Sequence, residues 1–105
     1  MENKVLSYLG FAAKARKLVT GYNTCIYMME KKKIRLLILA EDLSENSVKK
    51  MVSASEKHKV PCRIYGAGEQ LSKITGTAGK GIFGITDENF AKVISDGIDH
   101  IQSEK

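Results

Sequence analysis

Asn23, Tyr27 and Lys31 recur at four-residue intervals directly after Gly21, in the stretch Lys17-Leu-Val-Thr-Gly-Tyr-Asn-Thr-Cys-Ile-Tyr-Met-Met-Glu-Lys-Lys-Lys33. On a helix, residues four apart form one ridge. This ridge would carry an amide able to read a base edge, an aromatic hydroxyl able to stack or donate, and a cation. Recognition of unpaired RNA bases uses such parts, with amides and aromatics on the bases and cations on the backbone. If Thr20 or Gly21 caps the helix, the free amides of its first turn point outward with partial positive charge. That is a ready place for a phosphate. The same residues equally describe a solvated helix face entered through a glycine, and local chemistry leaves both readings open.

Other groupings fail on order or spacing. Gly79-Lys-Gly-Ile-Phe-Gly84 matches G-x-G-x-x-G letter for letter, but a dinucleotide-binding glycine run follows a strand and opens a helix. Here the glycines precede the expected strand, and Ile82, Phe83 and Gly84 lie within it. Thr75-Gly-Thr-Ala-Gly-Lys-Gly81 is faintly like a Walker loop, yet Ile74 stands where its first glycine belongs and Gly81 replaces the magnesium-holding hydroxyl. Glu41 and Asp42 are adjacent acids, read more simply as helix-entry residues than as a catalytic pair. No Ser, His and acid set is present, so catalysis has no residue to start from. Cys25 and Cys62 stand far apart among apolar neighbours and away from His58 and His100. Without clustered soft or imidazole ligands there is no metal site, and both cysteines read as reduced core thiols. No cofactor is expected.

The elements that must position the ridge follow from hydrophobic spacing. Val5, Leu6, Leu9, Ala12 and Ala13 recur at helical intervals between Lys4 and Arg16. Lys14, Arg16 and Lys17 crowd that helix's end, where cations suit its dipole. Lys17 to Thr20 is a brief strand, and Gly21 punctuates. Tyr22, Cys25, Ile26 and Met29 then fall at i, i+3, i+4 and i+7. They are expected to face the core from a second helix ending in Lys31–Lys33, leaving Asn23, Thr24, Tyr27 and Lys31 outward.

Ile34 to Ala40 is a nearly all-apolar run, the pattern of a strand buried on both faces. Glu41 to Ser44 supplies a turn and a Ser N-cap. Val48, Met51 and Val52 give a third helix its core face, and that helix must end before Pro61. Cys62 to Tyr65 is another strand, followed by a Gly66-Ala-Gly68 turn and a brief helix over Glu69 to Thr75. The glycine-rich loop Gly76 to Gly81 feeds the strand Ile82 to Thr86. Asp87 can cap a last helix with Phe90, Ile94, Ile98 and Ile101 inward. The order α-β-α-β-α-β-α-β-α predicts the α/β class. It implies a three-layer α/β/α sandwich around a mixed or mainly parallel central sheet of about four strands.

At 105 residues, 43% apolar and 28% charged, the chain is expected to form one domain, 1–105, able to hold a core without staples. It has no run approaching ~18 apolar residues and no apolar leader segment. A cytoplasmic location without membrane association is expected. The net charge of +5 is unevenly spread. Residues 1–86 hold fifteen basic and seven acidic side chains, net +8, whereas residues 87–105 hold two and five, net −3. The basic excess on the body predicts a polyanionic partner, nucleic acid foremost. The plain alternative is a lysine-rich soluble surface.

Several short motifs occur in a specific order: Lys14-Ala-Arg-Lys17 before the first strand, Gly21-x-Asn23 at the helix start, and Ile34-Arg-Leu-Leu-Ile-Leu-Ala-Glu-Asp42 as strand and turn. Lys59-Val-Pro61 and Leu71-Ser-Lys-Ile-Thr-Gly76 follow. Over nearly the whole chain this pattern resembles the L-seven-Ae family of small ribosomal and kink-turn RNA-binding proteins, in particular its YlxQ-like bacterial branch. The resemblance implies an α/β/α sandwich. It implies that Gly21 lets RNA approach the backbone and that Asn23 hydrogen-bonds a guanine edge in a sheared G·A pair. A Glu or Gln that commonly follows the Asn corresponds to Thr24, which reaches less far. A Lys of archaeal members corresponds to Tyr27, a ring in place of a charge. A second loop, packing on an extruded nucleotide, corresponds to Gly76, Thr77, Ala78, Gly79 and Lys80.

These readings combine into one expectation. The chain is a monomeric, non-enzymatic RNA-binding protein, ribosome- or translation-associated, recognising a kink-turn or related structured RNA. Gly21 permits close approach, Asn23 reads a base, Thr24 and Tyr27 modulate, and Lys17, Lys31, Lys32 and Lys80 hold backbone phosphates. The rivals are a protein-binding adaptor on the same fold and a small nucleotide-handling enzyme using the Gly76–Gly84 loop.

Overall fold

The computed structural model describes residues 4–78 and 81–103. Gly79 and Lys80, two of the expected second-loop residues, lie outside them. The described elements are α1 (Lys4–Lys14), β1 (Leu18–Thr20), α2 (Tyr22–Glu30), β2 (Leu36–Leu39), α3 (Glu45–Lys57), β3 (Cys62–Ile64), α4 (Gly68–Thr75), β4 (Ile82–Ile85) and α5 (Glu88–Ser103). The four strands form one sheet in the order β1-β4-β2-β3.

The sheet is mixed, with β4 antiparallel to both β1 and β2 while β2 and β3 run parallel. The mainly parallel variant of the expectation does not hold. The cause is the placement of α4, which begins and ends at one end of the sheet. Gly68 N–H donates to the Asp42 carboxylate at its start, and beyond its end the Gly81 carbonyl accepts from Ala40 N–H. The fourth strand therefore starts where β2 stops and runs back. β1, β2 and β3 all point the same way, which gives the sandwich a strand-exit end and a strand-entry end.

Alternation along the strands builds two cores. Leu36 and Ile38 of β2 and Phe83 and Ile85 of β4 face α1, α4 and α5, packing against Val5, Leu9, Leu71, Ile94 and Ile98. Leu37 and Leu39 of β2 and Ile82 of β4 face α2 and α3, against Cys25, Met29 and Met51. All four residues of β2 and of β4 are buried, as a strand covered on both faces requires. Each such fully buried aliphatic or Phe side chain contributes about 1.5–3 kcal/mol relative to exposure.

Caps fix the helix starts. Ser44 Oγ accepts from Ser47 N–H at 3.2 Å to open α3, and Asp87 Oδ2 accepts from Phe90 N–H at 2.9 Å to open α5.

The helix ends share one device. After α1 to α4 an amide two or three residues beyond the last helical residue folds back onto the carbonyl five residues earlier, as in Lys17 N–H to Ala12 C=O, Lys33 N–H to Met28 C=O, Val60 N–H to Ser55 C=O and Thr77 N–H to Ser72 C=O. This closure needs a left-handed residue just before the returning amide. Gly76 supplies it after α4 at φ 69°, but after α1, α2 and α3 the position holds Arg16, Lys32 and Lys59, at φ 60°, 60° and 57°.

Candidate nucleic-acid interface

Gly21 passes the chain from β1 to α2 at the strand-exit end. Its N–H donates to the Ile82 carbonyl at 3.0 Å, and its own carbonyl accepts from Cys25 N–H at 3.1 Å. The resulting backbone, φ 96° and ψ 155°, belongs to a region open essentially to glycine alone. A Cβ built at Gly21 meets no atom within 4 Å. Conformation rather than crowding therefore demands the glycine, and the space before it is open.

The first turn of α2 has no side-chain cap and no acidic residue. The N–H groups of Tyr22, Asn23 and Thr24 have no acceptor among the described residues. Three donors and the positive end of the helix dipole are thus left for whatever approaches. They front a cleft of about 380 Å³ lined by Thr20, Gly21, Tyr22, Asn23, Thr24 and Ala78. Folding so brings Gly21, Asn23 and Thr24 against Ala78 of the second loop, across more than fifty residues of sequence. Asn23 and Thr24 are exposed, and their side chains have no hydrogen-bond partner among the described residues.

Gly76 stands at the base of that loop with nothing within 4 Å of a built Cβ. The Thr77 hydroxyl is held 3.1 Å from the Thr75 hydroxyl.

Tyr22 departs from the expected core face. Cys25 and Met29 are fully buried and Ile26 packs against the same core, but Tyr22 is 40% exposed and lines the cleft. It is the first residue of α2, level with the rim of the sheet where β1 ends and β4 begins, so no strand lies beneath it. Helical spacing alone carries no information about where the underlying sheet stops.

Along the outer ridge Tyr27 is 57% exposed, and Lys31 Nζ lies 5.4 Å from the centroid of its ring, within cation–π reach. Lys17, Lys31 and Lys32 are not gathered into the cleft. The Lys17 carbonyl accepts from Thr86 N–H beyond the far end of β4, and Lys31 and Lys32 follow the C-terminal end of α2. At 1.5 Å per residue, Asn23 and Lys31 are about 12 Å apart along the axis.

The residues with rival readings are occupied structurally. Asp42 accepts from Gly68 N–H at 2.8 Å, so its carboxylate caps α4, a long-range partnership without a sequence signal. The glycine-rich loop leads into β4. A Cβ at Gly84 would stand 2.6 Å from Ile34 Cδ1 and 3.3 Å from Cys25 Sγ, so that glycine makes room for α2 on the sheet. Burial pushes the Cys25 thiol up to about 12, and burial likewise raises that of Cys62. Both cysteines are free thiols.

The profile of the ribosomal protein L7Ae/L30e/S12e/Gadd45 family matches residues 3–95, and the chain belongs to that family. Over 89 residues it is 34% identical to the RNA-binding protein YlxQ of Enterococcus faecium, covering 85% of each chain. Over 88 residues it is 33% identical to the RNA-binding protein YlxQ of Bacillus subtilis, covering 83% of this chain and 88% of that one. Among solved structures, a Bacillus halodurans protein of unknown function superposes with a TM-score of 0.89 at 28% identity, over 93% of this chain and 99% of that one. A 15.5 kD RNA-binding protein of Giardia lamblia superposes with a TM-score of 0.76 at 16% identity, over 98% and 92%, and shares the fold. The L7Ae-like, YlxQ-like resemblance in the sequence is thereby shown.

Proposed function

We propose that this chain is an RNA-binding protein of the translation apparatus, monomeric and cytoplasmic, that recognises a kink-turn or related structured RNA through the strand-exit end. The observation that carries the reading is Gly21. Its glycine-only backbone opens α2 into a free cleft, with three unpaired amides and the exposed Asn23 side chain facing the Ala78 loop. Curated relatives that cover most of this chain carry the name RNA-binding protein.

In this reading Gly21 admits the RNA backbone and Asn23 reads a base edge. Thr24 lines the approach and Ala78 stands across the cleft, with Gly76 and Thr77 leading to it, and Gly79 and Lys80 are assigned a role in meeting the RNA. Tyr22 adds a flat apolar face beside Asn23, and Tyr27 adds a second along the ridge. Aromatic faces hold unpaired bases by stacking, worth about 1–3 kcal/mol per base.

A calorimetric titration against a kink-turn RNA, and against the same RNA with its G·A pairs replaced, tests the proposal. Tighter binding to the intact RNA is expected, and equal affinity for both overturns the specificity. Asn23→Ala should remove about 1–3 kcal/mol of that preference, by analogy with a bidentate Asn–base contact.

A further inference from the structure

The strand-entry end carries a charge arrangement that base reading at the other end does not use. β1, β2 and β3 all begin there, in the spatial order β1-β4-β2-β3. At about 4.8 Å between neighbours, their starts span roughly 14 Å. Each is preceded by a left-handed basic residue, Arg16, Lys32 and Lys59 in turn. Glycine is the usual occupant of that position because an L side chain is strained there. The same closure after α4, at the opposite end, does use glycine. A strained conformation kept three times over by cations points to a use for the charge rather than for the backbone.

One of the three, Lys59, also joins other cations: with Arg35 just before β2 and Lys92 from α5 it lines a cleft of about 400 Å³, together with Ser95 and Glu88. Lys92 reaches Asp96 at 3.5 Å with both side chains largely in solvent. Among the described residues, Arg16, Lys32, Arg35 and Lys59 take part in no ion pair. Glu30, Glu56 and Asp87 are the remaining acids near this end, and Asp87 is engaged as the cap of α5. The surface keeps an excess of positive charge that takes part in no ion pair among the described residues.

We infer that the strand-entry end is a second, sequence-independent RNA contact that grips the phosphate backbone of a duplex, while the strand-exit end reads bases. The exposed ridge Asn23–Tyr27–Lys31 joins the two ends along α2. This inference rests on the RNA-binding reading and adds a second surface to it.

The test compares the parent protein with the triple variant Arg16→Gly, Lys32→Gly, Lys59→Gly. The probes are a plain RNA duplex of about 20 base pairs and a kink-turn RNA with and without its G·A pairs. Glycine relieves the left-handed strain, so the variant should fold and its thermal midpoint should rise by about 5 °C or more. Its affinity for the plain duplex should fall on the order of 10- to 100-fold at about 100 mM salt. The slope of log affinity against log salt should shrink by about 2–3. The ratio between intact and G·A-replaced kink-turn RNA should stay as in the parent. The pair Arg35→Gln, Lys59→Gln should weaken the duplex in the same direction without the gain in midpoint.

Unchanged duplex affinity and salt slope in both variants overturns the inference. A parent that discriminates G·A pairs but does not bind the plain duplex overturns it too, and leaves the proposed function standing. A parent that binds neither RNA removes both.

Discussion

The two ends of the sandwich solve the same backbone problem with different residues. At the strand-exit end all four described positive-φ positions, Gly21, Gly66, Gly76 and Gly81, are glycines, and Gly21 and Gly76 have open space before them. At the strand-entry end the left-handed positions closing α1, α2 and α3, the counterparts of Gly76 after α4, are Arg16, Lys32 and Lys59. Glycine lets another backbone come close and contributes no charge. A left-handed Lys or Arg blocks close approach to the main chain but projects a cation. One end is built to be touched on its main chain, and the other presents charge at a distance. The difference shows that positive φ is not a single signal, since what occupies it depends on which chemistry that end must offer.

The sharpest way to break the comparison is to exchange residue types between the ends, because the sign of the effect should reverse. Gly21→Val forces a β-branched residue into φ 96°, ψ 155°. It should destabilise the protein by about 1–3 kcal/mol in urea unfolding. It should also erase discrimination between kink-turn RNA and its G·A-replaced form, since the first turn of α2 must shift. Parent-like stability in this variant would mean that the backbone at Gly21 is ordinary and the two ends alike.

A second change at the exit end has a smaller reach. Asp42→Ala leaves Gly68 N–H without its acceptor and should lower stability by about 1 kcal/mol, the usual cost of losing a helix-capping side chain. Amide exchange should speed up first in α4. Fast exchange spread evenly over the sheet would mean that the carboxylate supports more than that helix start.

At the entry end, Lys32→Gly should stabilise. Relief of the left-handed penalty, about 1–2 kcal/mol, is offset by the freedom that glycine adds to the unfolded chain, about 0.4–1 kcal/mol. The net gain should be about 0.5–1 kcal/mol by urea unfolding. A loss would show that the Lys32 side chain packs usefully, and the contrast between the ends would weaken.

These features differ in how far they could be read from residues alone. The number and order of the elements followed from local rules, while the strand expected over Ile34–Ala40 spans only Leu36–Leu39 and α2 ends at Glu30. Ile34 to Ala40 had the composition of a doubly covered strand, and Ser44 and Asp87 sat where helix caps belong. The direction of β4 did not follow, because it depends on where α4 comes to rest against Asp42 and Ala40. Nor did the exposure of Tyr22, whose spacing matches the buried Cys25 and Met29 but which stands past the rim of the sheet. The meeting of Gly21 and Asn23 with Ala78 could be anticipated only through family resemblance, since no local rule connects residues so far apart. The left-handed lysines were invisible for a different reason. In sequence they are members of ordinary basic runs at helix ends, where the dipole already accounts for them. Their number suggested one polyanion site beside Gly21, whereas the fold carries Lys17, Lys31 and Lys32 towards the other end.

A change that belongs to neither end supplies the control, with the smallest expected effect. Arg63 on β3 holds Asp99 of α5 through two hydrogen bonds, Nε to Oδ1 at 2.7 Å and a second nitrogen to Oδ2 at 3.0 Å. The same guanidinium donates to the Cys62 carbonyl, and the Gln102 amide donates to the Ile64 carbonyl. These contacts occupy carbonyls of the edge strand and oppose pairing with another chain. The Arg63 hydrogen bond, opposed by some desolvation, holds the Asp99 carboxyl below its ordinary value. A carboxyl depressed in the folded state adds stability above its unfolded value, near pH 4, and that contribution is lost as pH falls through the lower folded value. Asp99→Asn should therefore flatten the acid side of the stability curve below about pH 4. Because Asp99 is half exposed, the loss near neutral pH should stay below about 1 kcal/mol and shrink with added salt. Both RNA affinities should match the parent. If either one moves, the pair between the edge strand and α5 is coupled to an end, and the separation of base reading from charge gripping fails.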